Sequence, residues 1–365
     1  MSKRTHPSTT TTTTSKKPRR SSRVARQKYG PCWSGTTSDT NTILVLDTRK
    51  NQASHYDAKK SRLNLLQDVW EYKIIPLLHV TELAVLRRTC AWFERHWQDF
   101  LARNQIRVPQ DLPTIEKAMF FASILSEQKE FTKDSPLVVL LSEGEHLMEG
   151  NVTDEDGHVH ETFMEITCEN ISFIGQGSNK TTVCGGFGVG NKKNVTLKNL
   201  TLTNPNGYGL AVQGEEALVD LLDVTFQKCA KAGMGLLCGS FVKVTQCEFS
   251  QNRDCGVVVV VGARGSFTNC TFHHNEKSGI LAHGEDTLVE IHGEQTEIHH
   301  NNNAAGLAAV NNATTNIYIP SRLLTAVVHD NEYRDLDSAV NGKIQSQLSS
   351  SSLELTVIHR DGESM

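Results

Sequence analysis

The sequence predicts a mainly β protein: a parallel β-helix with three strands per coil, preceded by a small all-α module. Three observations predict it. A pattern returns every 23 residues or so between Leu197 and Ile298, in NLTLTNPNGYGLAV, DVTFQKCAKAGMGLL, QCEFSQNRDCGVVVV and NCTFHHNEKSGILA. Leu202, Phe226, Phe249 and Phe272 stand 24, 23 and 23 positions apart, and Gly209, Gly233, Gly256 and Gly279 each follow by seven. Apolar residues inside each repeat alternate, which is the period of a strand. Residues 63–101, by contrast, hold no glycine and follow a helical period. A period in the twenties denotes stacked units that cannot bury their apolar faces alone.

The first segment, 1–60, is expected to be a disordered arm. Residues 1–38 carry nine basic residues and no acid, so against a whole-chain charge of −4 the remainder carries −13. The run STTTTTTSKKPRRSSR is too polar to pack. Lys16, Lys17, Arg19 and Arg20 have the composition of a nuclear-import signal, although a solvated basic tail would read the same way. No aromatic residue interleaves this run before Tyr29, which argues against a stacking site for nucleic acid and leaves only weak contacts. The N-terminus lacks the apolar segment of a secretory signal, and no stretch reaches membrane-spanning length. Nine cysteines, with Cys247 and Cys270 on inward positions, read as small buried hydrophobes in a reducing compartment. The expected location is therefore nucleus or cytoplasm, not the secretory route.

Residues 61–108 are expected to form the helical module. Pro76 ends or bends one helix, and Thr81 followed by Glu82 and Leu83 suggests the cap of the next. The order Leu65-Leu66, Asp68-Val69, Ile74-Ile75, Leu78, Glu82-Leu83, Leu86 and Thr89-Cys90-Ala91-Trp92-Phe93 resembles an F-box. Leu66 stands where that family has proline, Pro76 interrupts the first helix, and Phe93 replaces the final tryptophan. The resemblance implies a helix-in-groove contact with the adaptor protein of an SCF ubiquitin ligase, made by Leu65, Leu66, Val69, Ile74, Ile75 and Leu78. The plainer alternative is that these side chains dock the helices onto the β-helix.

Residues 109–335 are assigned to the β-helix. Pro113 to Ser123 suggests a short amphipathic helix, with proline at its first position and Ile115, Met119 and Ala122 on one side, capping the open end of the stack. Irregular first coils follow in PLVVLLSEGEHLMEGNVT and ITCENISFIGQGSNKTTVCGG. Leu200/Leu202, Val224/Phe226, Cys247/Phe249 and Cys270/Phe272 form the inward pairs of the first strand. Leu210/Val212, Met234/Leu236, Val257/Val259 and Ile280/Ala282 form those of the second. Val219/Leu221, Val242/Val244, the weaker Gly265/Phe267 and Val289/Ile291 form those of the third. The recurrent glycine fits a bend where positive φ is cheap, and Asn252, Asn275 and Asn301 read as a turn stack. The cap helix, VVLLSEG and FIGQGSNKTTV together resemble the right-handed β-helix families of pectin-lyase-like fold, which host lyases, hydrolases, esterases and binding domains. From 336 to 365 the period fades, leaving one candidate strand in LELTVI before a loose end.

No catalytic residue is assigned, and no cofactor. Asp220, Asp223 and Asp254 do not stack at the repeat period, and Arg253 and Arg264 lack an acidic neighbour in register. GGFGVGNKK lacks the Gly-Lys-Ser/Thr ending of a phosphate loop and reads as a turn between coils. His273, His299 and His329 should point outward on successive coils; they are weak metal candidates, because a flat ladder rarely converges the three or four ligands that zinc wants. The favoured expectation is a non-catalytic, F-box-like substrate-recognition subunit whose β-helix binds a protein. The alternative is a β-helix that binds or degrades carbohydrate, with the helices serving only as a cap; a nuclear scaffold using the basic arm is a third.

Overall fold

The computed structural model describes residues 102–148, 163–320, 323–346 and 353–354. Strands of three faces succeed one another along the chain and pair, in parallel, with their counterparts one coil on. First-face strands include Glu248–Ser250, Thr271–His273 and Glu297–His299; second-face strands include Leu210–Gln213, Met234–Leu237 and Val257–Val260. Third-face strands include Phe241–Thr245, Arg264–Thr268 and Leu288–His292. The second face is an eight-stranded sheet of its own, and the third and first faces merge into one larger sheet. They merge because Val195–Thr203 and Leu218–Gln227 each run through both faces, bending at Asn199 and Asp223, which have positive φ.

Equivalent residues superpose in register: Phe226 pairs with Phe249, and Phe249 with Phe272. Their rings stack at 4.8 and 5.0 Å with interplanar angles of 1° and 3°, close to the rung spacing that strand pairing imposes. Phe267 meets Phe249 and Phe272 edge-on. Its ring also explains the weak member of the third ladder. A Cβ on Gly265 would sit 2.7 Å from the Phe267 ring, so the glycine makes room for its large neighbour.

The helix Ile115–Gln128 starts two residues later than expected: Thr114 is the N-cap, accepting a bond from the Lys117 amide, and Pro113 precedes it. Ile115, Met119 and Ala122 are buried with Phe121 and Leu125 in the same core as the ladders. An unforeseen strand, Gln105–Val108, precedes the helix and pairs with Leu137–Leu141.

Three readings need correction. Gly233, Gly256 and Gly279 do not adopt positive φ. They are glycines because the chain passes too close to its neighbour: a Cβ on Gly256 would lie 2.6 Å from the Gly279 carbonyl. The left-handed positions fall instead on Lys228, Gln251, His274, His300 and Asp330, each one residue past the first-face strand. GGFGVGNKK is not a turn, because Gly186–Gly190 is a second-face strand paired with Leu210–Gln213. Beyond the point where the period fades, Arg334–Ala339 and Lys343–Ser346 continue the second and third faces, and Leu353–Glu354 pairs antiparallel with the latter.

Cys247 and Cys270 are buried as expected, as are Cys229 and Cys255. Burial pushes the Cys229 and Cys255 thiols up to about 12 and Cys270 up to about 11, and raises Cys247 as well. Cys238 is exposed. Since the thiolate is the nucleophile, iodoacetamide at neutral pH should label Cys238 in the folded protein and leave these four unmodified. Peptide mapping by mass spectrometry checks this; rapid labelling of Cys247 or Cys270 would mean that the interior opens.

Candidate functional site

Two outward-facing features stand out on the described surface. The first lies on the flank where second-face strands turn into third-face strands. Leu218, Phe241, Arg264, Leu288 and Thr314 are in register on consecutive coils and form one row. Leu218 is 38% exposed and Phe241 37%, although both sit in strands with fully buried neighbours. The turns before them carry Val261, 49% exposed, and the left-handed residues Cys238 and Asp286. Phe241, Arg264 and Leu288 of this row, with Cys238 and Val261 of the turns, line an open hollow of about 870 Å3 together with the acids Glu215, Asp286 and Glu290. Arg264 thus lines the same hollow as three acids, none of which stands beside it in register. The in-register neighbour of Arg264 is Leu288, and the acids come from the turns and from two positions further along the strand, which is why spacing alone missed them.

Farther along the same face Tyr318 stacks on His292 at 4.6 Å and its hydroxyl donates to Glu290 at 3.3 Å. Asp220 and Lys243 are opposed in register, while Asp254 pairs with Lys277 at 3.2 Å in a turn. Asp220 thus lies on a third-face strand and Asp254 in a turn between first and second faces, so they do not share one site.

The second feature is the histidine ladder. His273, His299 and His329 end successive first-face strands, and their rings stack at 5.3 and 5.3 Å. The sequence foretold that column. It did not foretell a second: His274 and His300 stack at 5.4 Å alongside it. The left-handed backbone at His274 and His300 brings these rings round to face their predecessors, with Nδ1 to Nδ1 at 2.7 Å in both pairs. Asp330 occupies the next position of that column and accepts from His329 Nδ1 at 2.9 Å. His273 Nε2 donates to Glu248 at 3.1 Å. That bond holds the Glu248 carboxyl below its ordinary range against the opposing effect of burial. Burial first, then the neighbouring imidazoles, holds His274 and His299 below the usual histidine range. Among the described residues, no group of three or more His, Cys, Asp or Glu converges as a metal site.

The expected adaptor contacts at Leu65, Leu66, Val69, Ile74, Ile75 and Leu78, and the basic cluster Lys16, Lys17, Arg19 and Arg20, lie outside the described residues. None of the described helices is long and apolar enough to cross a membrane.

The stacked three-strand coils have their counterpart among known families: the family model described as a right-handed β-helix region matches residues 185–322. This chain carries a right-handed β-helix. No curated protein matches it. Among solved structures, ORF18 of Geobacillus virus E2 shares 9% identity over 68% of this chain and 62% of that one, with a TM-score of 0.43. The β-helix chain thus spans less than two thirds of the viral protein. The A-modules of the Azotobacter vinelandii mannuronan C-5 epimerases AlgE6 and AlgE4 share 13% and 14% identity, with TM-scores of 0.30 and 0.24. The AlgE6 match covers 63% of this chain and 74% of that one, and the AlgE4 match 59% and 92%.

Proposed function

We propose that the β-helix is a protein-recognition platform and that the chain acts as an F-box-like substrate adaptor of an SCF-type ubiquitin ligase. The observation that carries the platform half is the in-register run Phe241–Arg264–Leu288 lining the hollow, with the exposed Leu218 one coil before it. An aromatic ring and a guanidinium held on rigid strands are the side chains that most often dominate protein interfaces, and apolar residues clustered at a cleft mark a contact surface more than scattered ones do. The ligase half rests on the leucine and isoleucine pattern between Leu65 and Leu78. No chemistry is required of the β-helix in that role.

The test is retention of the purified SCF adaptor by the full chain. Wild type should retain it, and Leu65→Asp with Ile74→Asp should abolish retention, while Phe241→Ala should leave it intact. Failure of the wild type to bind, or unchanged binding by the aspartate variant, removes the ligase half. With a bound substrate protein in hand, Phe241→Ala and Arg264→Ala should each weaken its capture by roughly tenfold or more.

One observation favours the carbohydrate reading. The hollow is lined by Glu215, Asp286 and Glu290 as well as Arg264, and two carboxylates are what glycoside-cleaving sites employ. Turnover of a polyuronate that disappears in Glu290→Gln would install that reading in place of the adaptor.

A further inference from the structure

We propose that the paired histidines of successive coils, His273 with His274 and His299 with His300, are two-nitrogen bites for a square-planar transition-metal dication, copper(II) or nickel(II). Each bite repeats the same local construction. An extended residue ends the first-face strand, and the left-handed residue after it folds the second ring back onto the first. The result is Nδ1 opposite Nδ1 at 2.7 Å, twice, one coil apart.

The distance bears on the choice of metal. Two nitrogens bound at about 2.0 Å and at right angles lie about 2.8 Å apart, whereas a tetrahedral centre separates them to about 3.3 Å. The observed gap is that of an N–H···N hydrogen bond between the two rings, and it lies nearer the square-planar bite that copper(II) and nickel(II) favour than the tetrahedral one of zinc. Copper(II) also stands highest in the affinity order for nitrogen donors. Aiming both lone pairs at a shared ion requires a turn about χ2, a soft torsion for an imidazole.

A second observation points to the same use. Glu248 accepts from His273 Nε2 at 3.1 Å, so His273 Nδ1 is the acceptor of the 2.7 Å bond and His274 Nδ1 carries its proton, which shifts to Nε2 when a cation takes its place. A carboxylate behind the far ring nitrogen is the usual outer partner of a metal-binding histidine. Glu297 stands 3.8 Å from His299 Nε2 on the next coil. Two protein donors leave the other corners of the square to water or to a donor on a bound partner, so the sites are open.

The experiment is a copper(II) titration of the full chain followed by electron paramagnetic resonance. The expected result is nitrogen-ligated copper at two equivalents above the level bound by a His274→Asn/His300→Asn variant. Asparagine is chosen because it tolerates positive φ, so the backbone bend survives; unchanged far-ultraviolet circular dichroism verifies the fold. His283→Ala, which removes an exposed histidine from the second face of the same coils, should leave both equivalents in place. Glu248→Gln should weaken the first site roughly tenfold or more. Equal copper binding and the same spectrum in wild type and the asparagine variant would overturn the proposal. So would zinc(II) displacing copper(II) at equal concentration.

Discussion

Phe249→Ala should cost about 4–5 kcal/mol, at the upper end of the range for removing a buried phenylalanine. Phe249 is fully buried and is the middle ring of three, with partners at 4.8 and 5.0 Å and a third ring edge-on at 6.4 Å. The truncation therefore deletes contacts on three sides, each pair worth about 0.5–1.5 kcal/mol beyond burial. The surroundings cannot collapse to fill the space. Phe226 and Phe272 are fixed by the hydrogen-bonded rungs above and below, and relaxation of the walls is what makes a cavity cheap. Phe249→Leu keeps part of the volume and should cost about 1–2 kcal/mol. Urea unfolding followed by far-ultraviolet circular dichroism checks both values. A loss below about 2 kcal/mol for the alanine variant would mean that the rings do not close-pack as the stack implies.

The same stack marks how much of the fold could be read from the residues. Period and alternation exposed the three ladders because each inward position repeats an apolar side chain, and the register of Phe226, Phe249 and Phe272 follows directly. Glycine was harder to read. Its recurrence was visible, but a close backbone approach and a left-handed bend leave the same trace in sequence, and the structure shows the former at Gly256. The true left-handed positions went unseen because Lys228, Gln251, His274 and Asp330 share no side-chain character. For the same reason the first histidine column was legible and the second was not, since nothing in the spacing says that His274 turns back toward His273. The hollow around Arg264 was invisible, because its acids come from turns whose positions obey no period. The coil at Arg334–Ala339 escaped because Asp337 and Ser338 blur the alternation while the backbone still pairs.

The asparagines beside these bends are the second place where one atom changes much. Asn252, Asn275, Asn301 and Asn331 run up the stack, each side-chain amide donating to the next Oδ1 at 2.9 Å. The chain ends on Asp335, which accepts from Asn331 at 3.0 Å. A column of amides that all donate one way must finish on an acceptor, and a carboxylate has no proton to offer in return. Each Nδ2 also donates to a carbonyl of the preceding coil, as Asn275 does to Phe249 at 3.0 Å, and each Oδ1 accepts the backbone amide of the preceding column member, as Asn275 does from Asn252 at 3.2 Å. Asn275 and Asn252 are fully buried. Asn275→Ala should cost about 3 kcal/mol, because the Asn252 amide and the Phe249 carbonyl lose partners with no water to replace them. Asn275→Asp should be worse at neutral pH, about 4 kcal/mol, since the carboxylate brings an acceptor against the Phe249 and Asn301 oxygens. Burial among acceptors raises the folded-state pKa of that aspartic acid above the unfolded value of about 3.9. The folded variant then binds more protons than the unfolded one, so its deficit relative to wild type shrinks as pH falls and grows as pH rises through the raised value. Urea midpoints of variant and wild type, compared at acid and neutral pH, measure that difference. A deficit independent of pH, or smaller than that of the alanine variant, would show that the column is held by the backbone rungs and not by its amides.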